Sequence, residues 1–389
     1  MLPETATDDP AGLLARLIAI DSVNPDLVAG GAGESTIAAF CAAWLAARGF
    51  EVHTLERRPG RPSLVAIARG AGGGRSLMLN GHLDTVGLTG YDGDPLEPRV
   101  RDGRMHGRGA FDMKGGLAAM MIAAARATAR ATARGPLRGD VLLACVADEE
   151  HGSSGTEEVL ESFTADAAIV TEPSHLEVTL AHKGFAWFDV RVEGRAAHGS
   201  RPDLGVDAIA KAGHFLVALE ELGARLARGP AHPLLGTGTV HASVISGGRE
   251  PSTYPEHCEI TLERRTVPGE DAATVEAELT AVLGRLAATV PDFSYRLTCG
   301  LHREPFAADP ESAIVRTLTK NAEAVLGHPP AVRGEPFWTD AALLDRAGIP
   351  CLLFGVDGEG AHAAREWADL ASVDRLTAVL DGTITDFCS

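Results

Sequence analysis

The sequence lacks paired cysteines, long apolar runs and a basic stripe. Its six cysteines are scattered without a CxxC motif, which argues against a disulfide framework or a thiolate zinc site and is typical of a reducing cytoplasm. No apolar run approaches the ~20 residues that cross a bilayer, and the first residues have no secretory-signal pattern. The formal net charge of -18 disfavours nucleic-acid binding. We therefore expect a cytoplasmic protein that binds neither nucleic acid nor membrane.

The chain has 389 residues, more than usually fold around one hydrophobic core, and this length favours two domains. Hydrophobic content of 45% and charged content of 23% are those of a soluble globular protein. Helical and strand patterns alternate over residues 1–179, and the continuous apolar runs Val141–Val146 and Ala167–Val170 suit strands covered on both faces. This alternation indicates an α/β sheet domain.

The pattern changes over residues 180–297, where the order of elements reads β-α-β-β-α-β. This order describes a compact split-βαβ unit. The α/β alternation then returns over residues 298–389, with a buried strand at residues 350–354. We predict an α/β sheet domain made of residues 1–179 and 298–389, interrupted by a smaller α+β domain.

The run Asn80-Gly81-His82-Leu83-Asp84 ends a predicted buried strand. Burying His82 and Asp84 costs free energy unless each has a partner. One ring nitrogen of His82 could bind a metal ion while Asp84 accepts a hydrogen bond and holds the geometry. A strand-end turn with a satisfied histidine–carboxylate contact would explain the pair equally, so the rest of the chain must decide.

Four further segments place ionisable residues at predicted strand ends. Asp112, in a glycine-rich stretch, suits a helix cap as well as a ligand. The acidic run 148–150 is either a solvated turn or a place where a cation offsets repulsion, with one glutamate binding metal and another acting as base. Glu172 and His362 alone would be ordinary surface residues. Together these nitrogen and oxygen donors suit Zn²⁺ or Co²⁺, and a bridging carboxylate would allow two ions about 3.5 Å apart.

Five motifs occur in the order GHLDTV, GRGAFDMKGG, DEEHGSSGT, TEPS and AHAAREW. In this combination they are highly specific. Over essentially its whole length the sequence resembles the two-zinc amidohydrolases and metallopeptidases that include acetylornithine deacetylase, succinyl-diaminopimelate desuccinylase, aminoacylase and glutamate carboxypeptidase. The resemblance implies a mixed-sheet, zinc-peptidase-like catalytic domain, an inserted lid or dimerisation domain, and a homodimer.

The resemblance also implies two divalent metal ions, with Zn²⁺ as the first choice and Co²⁺ as the alternative. His82 and Glu172 would bind one ion, and Glu150 and His362 would bind the other. Asp112 would bridge both ions, and a cis peptide bond would follow it.

Two carboxylates near the ligands receive other roles from the resemblance. Asp84 would orient His82 without binding metal. Glu149 would be the general base that takes a proton from the metal-bridging water and passes it to the departing amine. Two dications lower the pKa of such a water and polarise the amide carbonyl, so a desolvated carboxylate can shuttle one proton.

The inserted domain contains two more motifs of this family. His198, in GRAAHGSRP, would reach the active site of the neighbouring subunit and stabilise the tetrahedral oxyanion, although alone it reads as a surface residue. Arg265 would clamp the substrate carboxylate through two parallel hydrogen bonds. Its spacing from Pro268 favours it over Arg264, and a strand-edge charge pair is the alternative for either arginine.

Three positions depart from the family pattern. Gly87 replaces a common proline, and Phe111 replaces a small or polar residue. Asp357 stands in a loop that is typically a Gly-Pro-Gly-Gly run, where its carboxylate could favour a cationic substrate group or face solvent. These departures concern the substrate pocket rather than the metal ligands.

The sequence therefore predicts a metal-dependent hydrolase that cleaves the amide bond of an N-acyl-amino acid. A dipeptidase or carboxypeptidase using the same dinuclear site is the nearest alternative. A catalytically silent binding protein would be expected to have lost ligands or the base, and all six positions are present.

Overall fold

The computed structural model describes residues 8–389, without the side chains of residues 131–134. The chain divides into two compact units. Unit 1 comprises the chain up to Leu180 with Ala308–Arg333 and Thr339–Ser389, and unit 2 comprises Ala181–Ala307 with Gly334–Trp338. The inserted domain is predicted at residues 180–297, whereas unit 2 begins one residue later and extends past the predicted end. No helix among the described residues has both the length and the apolar character that a membrane span requires.

The helices are α1 (Pro10–Ile18), α2 (Ser35–Ala46), α3 (Gly115–Arg134), α4 (Ser154–Leu160), α5 (Ala208–Leu226), α6 (Ala272–Thr289), α7 (Ala313–Leu326), α8 (Ala341–Arg346) and α9 (Leu370–Phe387). The strands are β1 (Glu51–Leu55), β2 (Ser63–Ala68), β3 (Leu77–His82), β4 (Arg99–Arg101), β5 (Arg104–His106), β6 (Val141–Val146), β7 (Ala167–Val170), β8 (Val178–His182), β9 (Gly184–Glu193), β10 (Thr239–Gly247), β11 (His257–Thr266), β12 (Ser294–Arg303), β13 (Phe306–Ala307), β14 (Val332–Glu335), β15 (Cys351–Leu353), β16 (Gly358–Glu359) and β17 (Trp367–Asp369).

The large sheet contains the strand order β1-β2-β6-β3-β7-β15-β8. Strand β3 is parallel to β6 and β7, with His82 opposite Val146 and Asn80 opposite Val170. Strands β1 and β2 are antiparallel, so the sheet is mixed. Because β3, β6 and β7 run in the same direction, the segments that leave their carboxyl ends start from one edge of the sheet.

Helices cover the large sheet, which explains its continuous apolar strands. Every residue of β3 and β6 is buried, as expected when both faces of a strand are covered. Helix α3 is rich in alanine, and its small side chains let α1 and α9 pack closely against it. Leu13, Leu117, Met121 and Leu380 are fully buried in this core, and each side chain of this size contributes about 1.5–3 kcal/mol by burial.

Sequence patterns do not predict the second sheet of unit 1, which has the order β16-β17-β5-β4. Its strands contain only two or three residues, too few for an alternating pattern to be recognised. Trp367 pairs with His106 across β17 and β5. This pairing holds the segment after β5, which contains Asp112, beside the loop before β17, which contains His362.

Unit 2 has the predicted order, β9-α5-β10-β11-α6-β12. Its sheet is antiparallel, with the strand order β10-β11-β9-β12. Burial alternates along β9, and its inward Phe188 packs with Phe215 of α5 in one apolar cluster. Asp207 and Asp271 accept backbone hydrogen bonds at the starts of α5 and α6. A mixed α/β sheet domain with a separate α+β domain is therefore confirmed.

Candidate metal centre

Three parallel strands of unit 1 bring ionisable side chains together. His82 ends β3, Glu149 and Glu150 follow β6, and Glu172 follows β7. The Nε2 atom of His82 lies 3.6 Å from Oε1 of Glu172 and 3.9 Å from Oε2 of Glu149. None of these side chains is more than 11% exposed. The strand ends that the sequence predicts to form the site therefore do meet.

Asp112 lies between the two histidines of the cluster. Its Oδ1 atom is 3.2 Å from Nε2 of His82, and its Oδ2 atom is 3.2 Å from Nε2 of His362. The same nitrogen of His362 lies 2.9 Å from Oε2 of Glu150. Asp112 stands on an irregular turn before α3, and its peptide bond to Met113 is cis, as the resemblance implies. All five residues predicted as ligands belong to one continuous cluster.

Charges in the cluster strongly perturb one another. Burial raises the pKa of Glu150 to about 7 and raises the pKa of Glu149 well above its usual range. Hydrogen bonds with Asp112 and Glu150 raise the pKa of His362 to about 10. Burial opposes ionisation of Asp112, but hydrogen bonds from His362 and His82 hold its pKa below the usual range. Buried carboxylates in such excess over histidines are expected where cations complete the charge balance.

The donor set fits two divalent cations. Oε1 of Glu150 is buried and has no hydrogen-bond partner among the described residues, which is expected of an atom placed to bind a cation. Among the described residues, two of the three groups that offer three ligand atoms within 4.8 Å of one another lie in this cluster: His82 with Asp112 and Glu150, and His82 with Glu149 and Glu172. Imidazole nitrogens and carboxylate oxygens are ligands that Zn²⁺ and related ions accept.

Asp84 supports the cluster through the backbone. Its carboxylate accepts hydrogen bonds from the backbone N–H groups of Glu149 and Glu150, both at 3.2 Å, and from Nδ2 of Asn24 at 2.8 Å. The Nδ1 atom of His82 lies 3.0 Å from the backbone oxygen of Asp84 and 3.6 Å from its carboxylate. Asp84 thus fixes the histidine ring mainly by its carbonyl, while its carboxylate holds the turn that carries both glutamates.

Asp148 turns away from the cluster, although the sequence groups it with the two glutamates that follow. Its backbone is in the left-handed region, with φ of 71°. Its carboxylate accepts hydrogen bonds from Nη2 of Arg61 at 3.0 Å and Nδ2 of Asn24 at 3.1 Å. Arg61 also binds both carboxylate oxygens of the buried Glu34. The cation that neutralises Asp148 is therefore Arg61, which is 87 residues away in the sequence.

Two buried charges inside the family motifs are not singled out by the sequence. Lys114 donates a hydrogen bond to the backbone oxygen of Ile20 at 2.9 Å, and burial lowers its pKa to about 8. Glu366 is 1% exposed and accepts a hydrogen bond from the backbone N–H of Asp112 at 3.0 Å. A charge within an otherwise apolar or glycine-rich motif is the signal that could have revealed both residues.

The two residues predicted for substrate contact lie in unit 2. His198 is exposed in the loop after β9, and its Nδ1 atom lies 2.8 Å from the hydroxyl of Ser200. Arg265 is 31% exposed, with Nε donating to Glu263 at 2.8 Å and the guanidinium 5.4 Å from the ring centre of Phe185. The alternative considered for this arginine, a charge pair, is therefore present, although β11 is an inner strand of its sheet and not an edge strand.

The neighbouring Arg264 is held by ion pairs inside the protein. Arg264 is fully buried and donates hydrogen bonds to Glu270 at 2.9 Å and Glu278 at 3.2 Å. These contacts fix the guanidinium inside unit 2, where it links β11 to α6 and to the loop before this helix. Of the two adjacent arginines, Arg265 is the one with a partly exposed side chain.

Asp357 has a partner within the protein. Its Oδ1 atom lies 2.7 Å from Nδ1 of His175, and both side chains are about half exposed. The ring of His175 is 5.6 Å from the ring of Phe111, centre to centre. Two of the three departures from the family pattern therefore lie at the same place in unit 1.

Carboxylates crowded around histidines at one edge of a mixed sheet are the arrangement of a metal-dependent hydrolase. Comparison with known proteins shows to which family of hydrolases the chain belongs. The sequence profile of peptidase family M20/M25/M40 matches residues 78–386. The chain therefore belongs to this family, and it is a hydrolytic enzyme that acts on amide bonds.

The proteins that this chain resembles include a deacetylase, a deformylase and an aminopeptidase. The chain is 32% identical to an acetylornithine deacetylase of Myxococcus xanthus over 335 residues, which cover 84% of each chain. It is 28% identical to an N-formyl-4-amino-5-aminomethyl-2-methylpyrimidine deformylase of Bacillus subtilis (strain 168), over 91% of this chain and 89% of that protein. The fold is similar to the aminopeptidase PepT of Bacillus cereus, with a TM-score of 0.80 and 19% identity over 98% and 99% of the two chains.

Proposed function

We propose that the protein removes the acyl group from an N-acyl-amino acid by hydrolysis of its amide bond. The best support from the comparisons is the 32% identity to an acetylornithine deacetylase over 84% of both chains. The solved structures named as peptidases are too distant in sequence to add more than the fold. The proposal therefore favours a deacylase over a dipeptidase or carboxypeptidase.

The observation that carries the proposal is the environment of Glu149. Its carboxylate is buried beside the metal-ligand cluster, 3.9 Å from Nε2 of His82. Burial raises its pKa well above the usual range of a glutamate. A carboxylate with a raised pKa can accept a proton from water and return it to the departing amine nitrogen, which is the task of a general base that later acts as an acid.

The remaining residues hold this base and the ligand cluster in place. Two divalent cations, when bound, supply Lewis acidity that activates water and polarises the amide carbonyl. His82, Asp112, Glu150, Glu172 and His362 would hold them, and Zn²⁺ is proposed over Co²⁺. Asp84 fixes the backbone of Glu149 and Glu150 through two hydrogen bonds at 3.2 Å. The base is thus positioned by a rigid, buried support.

A substrate panel tests the reaction and the substrate class together. N-acetyl, N-formyl and N-succinyl amino acids are compared with dipeptides, with and without a chelator, and with Zn²⁺ or Co²⁺ added back. We expect chelator-sensitive release of free amino acid from one or more acyl-amino acids. Hydrolysis of dipeptides alone would support the peptidase alternative. No hydrolysis of any compound by metal-loaded protein would support the silent binding protein.

A variant pair separates the base from the metal ligands. Glu149→Gln keeps the side-chain volume but cannot accept a proton, so kcat is expected to fall by about 10²–10⁴-fold while both metal ions stay bound. The control is Glu311→Gln, which changes a carboxylate that is 80% exposed on the protein surface. Full activity of metal-loaded Glu149→Gln would refute the assignment of the base.

We also propose that the protein is a homodimer in which His198 completes the active site of the other subunit and Arg265 binds the substrate carboxylate. The exposed side chain of His198 and the partly exposed side chain of Arg265 support this role. Mixing inactive Glu149→Ala chains with inactive His198→Ala chains tests it. If His198 acts across the dimer, half of the dimers are mixed and each has one intact site, so about a quarter of full activity returns. No recovery from mixed dimers would place His198 outside the partner's site.

The cysteines support the proposed cytoplasmic location. All six are free thiols, and five of them are buried. Proteins of oxidising compartments commonly use cysteines in disulfides. Localisation of a tagged full-length chain would test this expectation.

A further inference from the structure

Glu366 is a buried carboxylate to which no role has yet been given. It is 1% exposed and lies in the loop between His362 and β17. Its Oε2 atom accepts hydrogen bonds from Nη1 of Arg108 and the backbone N–H of Gly109, both at 2.9 Å. Its Oε1 atom accepts hydrogen bonds from the backbone N–H groups of Phe111 and Asp112, both at 3.0 Å. Four donors therefore converge on one carboxylate.

These contacts hold the turn that carries Asp112. The turn has no regular helical backbone at Asp112, so its N–H groups lack ordinary helical partners there. The carboxylate of Glu366 replaces those partners on both sides of Phe111. Only an ionised carboxylate offers enough acceptor sites for four donors without adding a donor of its own. The direction of the Asp112 side chain therefore depends on Glu366.

The same residue ties this turn to the loop that carries His362. The backbone N–H of Gly107 donates to the backbone oxygen of Glu366 at 3.3 Å. Nη2 of Arg108 donates to the backbone oxygen of Ala363 at 3.0 Å, next to His362. Arg108 and Glu366 thus form a buried ion pair, with side chains 4% and 1% exposed, that links both loops. Because these loops meet at Asp112 and His362, their separation sets the distance between two proposed ligands.

We propose that Glu366 is a positioning residue that holds the carboxylate of Asp112 between His82 and His362. It thereby sets the affinity of the site for the second metal ion, which is the ion that Glu150 and His362 would hold. The inference rests on the proposed metal site and deepens it. Glu366 would not bind metal or substrate itself. Its effect would reach the metal through the backbone of Asp112 and through the His362 loop.

The test replaces Glu366 by glutamine. Glu366→Gln keeps the shape but puts an amide NH₂ group against two N–H donors, which lose their acceptor. Equilibrium dialysis against Zn²⁺ is expected to show one ion bound as in the original protein and a second ion bound about 10–100-fold more weakly. With Co²⁺ in the site, the visible absorption spectrum is expected to change, because the ligand geometry changes. In steady-state assays kcat should fall while KM stays nearly constant.

The matched control is Glu359→Gln, which changes an exposed glutamate of β16, three residues before His362, and should leave both ions and the Co²⁺ spectrum unchanged. If Glu366→Gln binds two ions with the original affinity and spectrum, the inference is wrong, even if its metal-free form unfolds at lower temperature. If Glu366→Gln does not fold, Arg108→Met replaces it, since it removes one donor to Glu366 and the link to Ala363. Unchanged metal affinity in that variant would also overturn the inference.

Failure of the proposed function gives a different result. In that case the original protein hydrolyses no acyl-amino acid, yet it binds two ions and Glu366→Gln still binds the second ion more weakly. Failure of the inference leaves hydrolysis by the original protein intact and metal binding by Glu366→Gln unchanged. Metal stoichiometry and substrate turnover therefore separate the two claims.

Discussion

Replacing Arg61 with methionine should destabilise unit 1 strongly. Arg61 is 5% exposed and is shared by three carboxylates. It donates to the two oxygens of Glu34 at 2.6 and 2.8 Å and to Asp148 at 3.0 Å, and it also pairs with Asp26. Glu34 is completely buried. Arg61→Met would leave two buried carboxylates without their cation.

The expected loss follows from this burial. Removing one partner of a buried ion pair typically costs about 3–5 kcal/mol of unfolding free energy, because the other charge remains buried and unpaired. Arg58→Met is the matched control, since Arg58 binds the same Asp26 but its side chain is 53% exposed. An exposed pair of this kind contributes about 0–1 kcal/mol. The two variants should therefore differ by several kcal/mol.

The pH dependence gives a second signature. Burial raises the pKa of Glu34 above 4.5, and Arg61 partly offsets this rise. A carboxyl whose pKa is raised by folding favours the folded state at pH below its unfolded pKa, and this advantage is lost as the pH rises through the folded pKa. Removing Arg61 raises the pKa of Glu34 further. The stability deficit of Arg61→Met should therefore grow between pH 5 and pH 8.

Urea unfolding of the metal-free variants, followed by circular dichroism at pH 5 and pH 8, measures both effects. The double variant Arg61→Met/Glu34→Gln should recover part of the loss, because the neutral amide needs no cation. A difference of less than 1 kcal/mol between Arg61→Met and Arg58→Met at pH 8 would contradict the assigned role of Arg61. A stability deficit of Arg61→Met that shrinks as the pH rises would contradict it as well.

Three further predictions address the site and unit 2. Asp84→Asn should lower kcat by about 10–100-fold with both metal ions retained, because it weakens the support of the turn that carries Glu149 and Glu150 but keeps the backbone oxygen that orients His82; loss of metal in proportion to kcat would contradict this. Phe188→Ala should cost about 3–5 kcal/mol in urea unfolding, since its ring is fully buried in the core of unit 2. Chelation should abolish hydrolysis, and Zn²⁺ or Co²⁺ should restore it; activity that survives complete metal removal, measured by elemental analysis, would exclude the dinuclear mechanism.

Part of the cluster of proposed ligands could be predicted because three of its five members stand at recognisable strand ends. His82, Glu150 and Glu172 each stand at or just beyond the end of an apolar run. Parallel strands align these ends, so a pattern along the chain becomes a cluster in space. The order β-α-β-β-α-β of unit 2 could also be predicted from the sequence, because its strands and helices have nine or more residues each and show clear periodicity.

The supporting charges could not be predicted in this way. Arg61 and Asp148 are 87 residues apart, and Arg108 and Glu366 are 258 residues apart. Neither pair shares a strand pattern, and the chain contains many other charges that could have been partners. The acidic run 148–150 reads as three equal carboxylates. In the folded chain the left-handed backbone of Asp148 directs one of them to an arginine and leaves two for the site.

The sheet β16-β17-β5-β4 explains why the ligand motifs alone do not predict the distances between the proposed ligands. Strands β5 and β17 have three residues each and no pattern that a sequence reveals, yet their pairing brings the segments of Asp112 and His362 together. A ligand can be recognised from its own neighbours, whereas the distance between two ligands depends on the backbone that joins them. Glu366 lies at that junction and contacts both segments. Metal affinity should therefore respond to residues that never touch the metal, and the response should be largest where one side chain holds two ligand loops.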